Sequence, residues 1–145
     1  MMNIFEEAYR GIQEAKKAYT AAANTAEQDA ARALYKQATA KLDGLSNTEQ
    51  RIWNAYETAK DCGNEYIDLN DTIRDDAVED LVACMKEYGI EAFTFSSTWS
   101  GAVETAWLFQ KAGCTLAGLI EINSQQKAFM SDEYEKAHGY LFKLN

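Results

Sequence analysis

Ile90-Glu91-Ala92-Phe93-Thr94-Phe95-Ser96, then Ser100 to Ala112, then Cys114-Thr-Leu-Ala-Gly-Leu-Ile-Glu-Ile-Asn123 form the stretch in which the hydrophobic period changes. The first segment is short, aromatic and alternating, with Phe93 and Phe95 on one face, which is the pattern of a strand. Ser100 to Ala112 returns to helical spacing, with Val103, Ala106 and Trp107 as the expected inward face, and stops at Gly113. Cys114 to Asn123 reads as a second strand. Strand, helix and strand in so short a run predict a right-handed βαβ unit.

Outward from this unit toward the N-terminus the chain reads as helix. Proline is absent throughout, and the first 62 residues hold only two glycines, Gly11 and Gly44. Phe5, Ala8, Tyr9, Ile12, Ala15, Tyr19 and Ala22 recur in steps of three and four, and Ala31, Leu34, Tyr35, Ala38 and Leu42 repeat the pattern. Between the stripes Asn24 can cap a new helix, with Glu27 at its N3 position answering it, so an αα-hairpin is expected. The alternative is one rod from about residue 3 to 43, near 60 Å long at 1.5 Å per residue, whose stripe a compact domain would struggle to bury. Gly44 closes the second helix. Asn47 with Gln50 starts a third, carrying Ile52, Ala55, Tyr56 and Ala59 inward until Gly63. A fourth opens at Asp71-Thr72, turns Ile73, Ala77, Leu81, Cys84, Met85 and Tyr88 inward, and ends at Gly89.

Toward the C-terminus Ser131 is read as the cap of a short helix ending at Gly139, followed by a terminal strand from Tyr140 to Leu144. Lys143 and Glu121 would pair across neighbouring strands. The expected fold is therefore α+β. A helical N-terminal half, an αα-hairpin plus two helices, packs with a small three-stranded sheet that contains the βαβ unit. With no linker, low-complexity run or internal repeat in view, residues 1–145 read as a single domain with a helical subregion 1–63 and an α/β subregion 64–145.

The segment Phe93-Thr-Phe-Ser-Ser-Thr-Trp-Ser-Gly-Ala-Val-Glu-Thr-Ala-Trp-Leu-Phe109, with Ala112-Gly-Cys114 and Gly118-Leu-Ile-Glu-Ile-Asn123, resembles a family of small, uncharacterised acidic proteins from bacterial mobile elements. The likeness covers about the last third of the chain and, more loosely, the hairpin. It implies a bacterial, cytoplasmic, mobile-element setting in which small acidic inhibitors of host defence enzymes are a recurring class. It implies no catalytic residue.

Composition bounds the function. The chain has 145 residues, 47% hydrophobic and 26% charged, close to the soluble globular average, which excludes a collagen, a porin or a minimal disulfide scaffold. Twenty-three acids against fourteen Lys plus Arg leave a net charge of −9, which disfavours direct contact with nucleic acid or anionic lipid. The N-terminus lacks the basic and apolar regions of a signal peptide, and no apolar run reaches a membrane span. Cys62, Cys84 and Cys114 are odd in number and widely spaced, so a reducing cytoplasm and buried inert thiols are expected.

The acidic excess is local. Residues 1–70 hold eight bases and eleven acids, and residues 71–145 six and twelve. Glu65, Asp68, Asp71, Asp75, Asp76, Glu79 and Asp80 place seven carboxylates in sixteen residues, with Arg74 the one base among them. On a helix Asp71 with Asp75, Asp75 with Glu79 and Asp76 with Asp80 share a face and repel by a few tenths of a kcal/mol each. Such a row can imitate duplex phosphates, spaced at one charge per roughly 1.7 Å of axis. The expected partner is another protein with a basic surface, and the blander reading is a solvated helix face. Asp68, Asn70, Thr72, Asp76 and Glu79 also fall at EF-hand positions, but Ile73 occupies the place that demands glycine, so no metal is expected there.

Ser96-Ser97-Thr98-Trp99-Ser100-Gly101 is the second candidate, a hydroxyl-rich turn from strand to helix where free backbone N–H groups favour an anion. It matches no phosphate-binding motif and contains no Lys or Arg. The alternative function is thus a small anionic-ligand binder or weak enzyme using Ser96, Ser97, Thr98, Ser100 and Gly101, against a capping turn with Trp99 as packing anchor. Ser97, Ser100 or Cys114 as nucleophile would need a base, and the one histidine, His138, is read as ending a helix. Glu91, Glu104 and Glu121 cannot be paired from sequence. No catalytic residue, zinc spacing or cofactor motif is identified. Trp53, Trp99 and Trp107 lie near apolar stripes and are expected in the core. A third reading is an oligomeric module built on the Ala-rich hairpin.

Overall fold

The computed structural model describes residues 4–70 and 77–145. The chain is α+β, with five helices and one four-stranded sheet among the described residues. Two compact units divide at Ser46/Asn47, earlier than the subregion boundary at residue 63 read from the helical pattern.

The first unit is the predicted hairpin. Helices α1 (Ile4–Ala21) and α2 (Thr25–Ala40) are separated by a short turn. Its chemistry is the one expected: Asn24 Oδ1 accepts the Glu27 N–H at 2.9 Å, and Glu27 Oε2 accepts the Ala23 N–H at 2.6 Å. One helix-start donor and the N–H of the residue before the cap are thereby satisfied, and the break between α1 and α2 ends the rod alternative. Phe5, Ala8, Ile12 and Ala15 on α1 and Ala31 and Ala38 on α2 are buried, whereas Tyr19, Leu34 and Tyr35 from the same stripes are 43–47% exposed. At Gly11 the helices approach closely, because a Cβ there would stand 2.8 Å from the Ala38 Cβ.

The second unit begins with α3 (Asn47–Cys62), followed by β1 (Ile67–Asp68), α4 (Ala77–Glu87), β2 (Ala92–Phe95), α5 (Ala102–Lys111), β3 (Cys114–Lys127) and β4 (Tyr134–Leu144). Helices α3 and α4 stop as the sequence predicts. Gly63 and Gly89 both take φ of +73°, and the next residue's N–H reaches back five positions, Asn64 to Ala59 O at 2.8 Å and Ile90 to Met85 O at 2.9 Å. These are Schellman stops that only glycine makes without strain. The expected start of α4 at Asp71-Thr72 and the inward Ile73 lie outside the described residues.

The strand order is β1-β2-β4-β3, with β1 parallel to β2 and β4 antiparallel to both β2 and β3. The sheet thus has one strand more than expected: β1 is two residues long and carries no alternation to read. Strands β2 and β3 are parallel, but β4 lies between them, so the predicted βαβ unit is split. An adjacent parallel pair does occur, with α4 as the crossover from β1 to β2.

Two further expectations are corrected. Ser131 to Gly139 is not helical, since β4 already begins at Tyr134 and pairs through Lys136, Ala137, His138 and Gly139 with Asn123, Ile122, Glu121 and Ile120. Gly139 is a strand residue whose missing Cβ would lie 3.2 Å from the Thr94 Cβ, so it permits a close crossing rather than a helix stop. That register also dissolves the Lys143–Glu121 pair: Lys143 stands opposite Ala92 and Thr115, and Glu121 opposite His138.

The core of this unit is aromatic. Phe93 and Phe142 are cross-strand neighbours with ring centroids 5.4 Å apart, and Phe109 of α5 lies 4.8 Å from Phe93, 5.6 Å from Phe95 and 5.6 Å from Phe142. All four are at most 2% exposed. Burial of the Phe109 ring rotates α5 away from the expected face. Thr105 and Phe109 point inward, and Val103 and Trp107, 80% and 58% exposed, point out. Of the three tryptophans only Trp53 is buried.

Gly11→Ala should lower stability in urea unfolding by about 1 kcal/mol, because overpacking against the backbone-fixed Ala38 Cβ, about 1–3 kcal/mol, exceeds the propensity gain of about 1 kcal/mol. Gly44, where an added Cβ would meet nothing within 4 Å, should accept alanine without loss.

Candidate functional site

One member of the acidic run is drawn into the fold. Asp68, at the end of β1, is half-buried and works inside the sheet: its Oδ1 accepts the Thr94 hydroxyl at 2.7 Å and its Oδ2 the Ser96 hydroxyl at 2.5 Å. Thr94 is wholly buried, and its hydroxyl also lies 3.3 Å from the Ile67 carbonyl. A two-residue strand has few ladder bonds to hold it, and this carboxylate supplies charge-assisted ones. Glu65, Glu79 and Asp80 are exposed, the last two in the first turn of α4, where the dipole favours them. They form no ion pair with any described Lys or Arg. Asp71, Asp75 and Asp76 lie outside the described residues, as does Thr72 of the EF-hand-like spacing.

The second candidate meets the first at Asp68. Ser96 follows the end of β2 with its hydroxyl given to that carboxylate, so an anion placed there would face a fixed negative charge. Ser97 Oγ accepts the Trp99 N–H at 3.4 Å, and Gly101 occupies the N-cap of α5 with no side-chain bond. The Trp99 ring covers Gly101 so closely that a Cβ there would lie 2.0 Å from it. Trp99 therefore packs on its own turn, 40% exposed, rather than in the core. Ser96, Ser97, Thr98, Ser100 and Gly101 lie on one turn, with Thr98 and Ser100 exposed, Gly101 covered by the Trp99 ring and Ser96 bonded to a carboxylate.

Sequence reading missed the cleft that borders this junction. A cavity of about 660 Å³ opens between α3, the ends of β1 and β2, and the far half of β3, lined by Asn54, Asn64, Asn70, Asn123, Gln125 and Gln126 among others. Two of its carboxamides are committed to structure. Asn64 Nδ2 donates to the Asn123 carbonyl and Asn64 Oδ1 accepts the Asn123 N–H, both at 2.9 Å, while Asn123 Nδ2 donates to the Cys62 carbonyl at 2.7 Å. This clasp joins the end of α3 to β3. No local signal marks it, because its partners stand 59 residues apart.

Beyond the clasp, β3 and β4 continue as a two-stranded arm. Strand β4 meets β2 only at Tyr140 to Lys143 among the described residues, leaving Tyr134 to Gly139 paired with β3 alone. The arm ends in an ordered turn: Ala128 N–H donates to the Glu133 carbonyl at 2.8 Å, and Ser131 N–H to the Ala128 carbonyl at 3.0 Å. At its tip Phe129 and Met130 are 91% and 90% exposed, with Met130 at φ +57°. A non-glycine residue held left-handed is uncommon. Asp132, Glu133 and Glu135, all exposed, follow at once. An adjacent Phe-Met between two turn-like stretches is the signal that could have found it, once Ser131 to Gly139 is not taken for helix.

The thiols and the histidine stand apart among the described residues. All three thiols are buried, and burial pushes each above its usual range, Cys84 to about 11 with Glu49 and Glu87 adding to the effect. Tyr88 donates to Glu49, and burial with that bond raises its phenol strongly. His138 is an exposed strand residue opposite Glu121, not a helix end. Among the described residues no three His, Cys, Asp or Glu side chains converge as metal ligands. No helix among them is long and apolar enough to cross a membrane.

Against known proteins, residues 51–144 match the family model described as a domain of unknown function, DUF7698. No curated protein and no solved structure matches the chain.

Two outcomes test this geometry. Asp68→Ala should cost about 1–3 kcal/mol in urea unfolding, since it strips the Ser96 hydroxyl and one Thr94 bond of their acceptor. Because Cys84 ionises near pH 9 unfolded and about 11 folded, its contribution is whole below pH 9 and is lost as pH rises toward 11. Unfolding free energy under reducing conditions should therefore fall from pH 9 upward, less steeply in Cys84→Ala.

Proposed function

The chain belongs to the DUF7698 family, and we propose that it is a protein-binding module whose C-terminal unit engages a basic partner surface. The observation that carries this reading is the placement of charge. Residues 1–46 hold six acids and six bases and are neutral, whereas residues 47–145 hold seventeen acids and eight bases and carry the whole −9. Within that unit Glu65, Glu79 and Asp80 stand exposed and unmatched by described bases, so their field is available to a partner. An excess of charge of one sign accelerates encounter with a basic surface and makes it salt-sensitive.

Charge alone gives poor residence time, and binding energy in interfaces concentrates in a few buried anchors. Phe129 and Met130 supply such an anchor: two large apolar side chains on an ordered tip, with three carboxylates beside them. The partner this combination suits has an apolar recess rimmed by Lys or Arg. In its sharpest form the partner is a nucleic-acid enzyme of bacterial host defence, whose basic channel the acidic unit blocks in the cytoplasm, in the manner of an anti-CRISPR or anti-restriction protein. The alternative, a small anion at the Ser96 to Gly101 turn, is weakened by the Asp68 carboxylate.

Affinity capture from a bacterial lysate at low and high salt, followed by titration of the captured partner, tests the proposal. Glu65→Lys/Glu79→Lys/Asp80→Lys should weaken binding about tenfold or more, equivalent to about 1.4 kcal/mol, and flatten its salt dependence. Phe129→Ser/Met130→Ser should weaken it at every salt concentration. Affinity unchanged in both folded variants removes the reading.

A further inference from the structure

The neutral hairpin carries a second feature independent of the acidic unit. Its sequence contains one pattern twice, Ala15-Lys16-Lys17-Ala18-Tyr19-Thr20 on α1 and Ala31-Arg32-Ala33-Leu34-Tyr35-Lys36 on α2, each a small residue, a base, two spacers and a tyrosine. Both copies line one groove of about 480 Å³ between the two helices. Ala15 and Ala31, each 2% exposed, form its floor. Tyr19 and Tyr35, 43% and 45% exposed, form apolar walls. Lys16, Arg32 and Lys36 bring three cations to it, and no carboxylate lines it.

The side chains are arranged as a site would need. Arg32 stands over the Tyr19 ring, 5.6 Å from its centroid, with Nη2 donating to the Tyr19 hydroxyl at 3.5 Å, which orders both groups. Its other nitrogen meets Asp29 at 3.4 Å, an exposed contact that neutralises little. Lys16 and Lys36 make no ion pair among the described residues. A ligand-sized, mainly apolar groove with a few convergent polar groups is the usual form of a small-molecule site, and unmatched cations at its edge select charge.

We infer that this groove binds a soluble amphiphilic organic anion, a flat or acyl apolar body that lies on Ala15 and Ala31 between the two tyrosines and carries a carboxylate, sulfonate or phosphate held by Lys16, Arg32 and Lys36. The body is desolvated by the floor and walls, and the head stays at the wet rim where lysine keeps its charge.

The probe is 1-anilinonaphthalene-8-sulfonate, titrated by fluorescence against the full chain, with the uncharged N-phenyl-1-naphthylamine as its neutral counterpart. One sulfonate probe should bind per chain. Lys16→Gln/Arg32→Gln/Lys36→Gln, substitutions that keep good helix formers, should weaken it about tenfold or more and leave the neutral probe unaffected. Tyr35→Ala should weaken both probes, and Phe129→Ser/Met130→Ser neither. Sulfonate binding unchanged in the glutamine variant, or abolished instead by the Phe129/Met130 change, overturns the inference. So does co-sedimentation with phosphatidylglycerol vesicles that the glutamine variant loses, which would make the occupant a lipid surface. Self-association lost in that variant overturns it likewise, the occupant then being a second copy.

Discussion

The four phenylalanines that meet between α5 and the sheet are the constraint on which the C-terminal unit depends. Phe93 and Phe142 must be cross-strand neighbours for their rings to stack, so β4 lies beside β2. Phe109 can reach both, and Phe95, only if α5 crosses that face with Thr105 and Phe109 inward. Once β4 is committed to β2, β3 can add only on the far side of β4, and the sheet takes the order β1-β2-β4-β3. Aromatic pairs in offset or tilted geometry add about 0.5–1.5 kcal/mol beyond the area they bury. The cluster therefore specifies the topology as well as stabilising it.

Several features at the surface follow from that topology. A strand of eleven residues, β4, meets β2 over only four positions, so the remainder pairs with β3 as an arm held to the end of α3 by the Asn64–Asn123 clasp and the Tyr134 hydroxyl on the Asp61 carbonyl, with Phe129 and Met130 exposed at its tip. The same packing turns Trp107 and Val103 outward. At the opposite edge β1 is too short to hold itself, and Asp68 ties it to Thr94 and Ser96. A carboxylate that counts toward the acidic excess is in this way spent inside the sheet.

The chain separates its charge along the same division that separates its units. The hairpin is electrically balanced yet concentrates three bases around one groove, while the α/β unit carries all the excess acid. The two proposed contacts, a basic protein surface for the acidic unit and an organic anion for the neutral hairpin, draw on these unlike charge distributions.

Local chemistry was legible in the sequence wherever neighbours along the chain decide the outcome. The Asn24 cap answered by Glu27, the glycine stops after α3 and α4, and the alternation of Phe93 and Phe95 are all interactions within a few residues, and each stands where the pattern places it. What needed the tertiary structure involves partners far apart. The position of β4 between β2 and β3, the strand character of residues 134–139, the face of α5 and the bond from Ser96 to Asp68 are settled by contacts across tens of residues. Ser131 and Gly139 show the reason: a cap-like serine and a stop-like glycine are compatible with a helix, but pairing with β3 gives the backbone there a ladder instead and brings Gly139 against Thr94. A pattern along the chain states what a segment can form by itself, and competition for the core decides which of those forms survives.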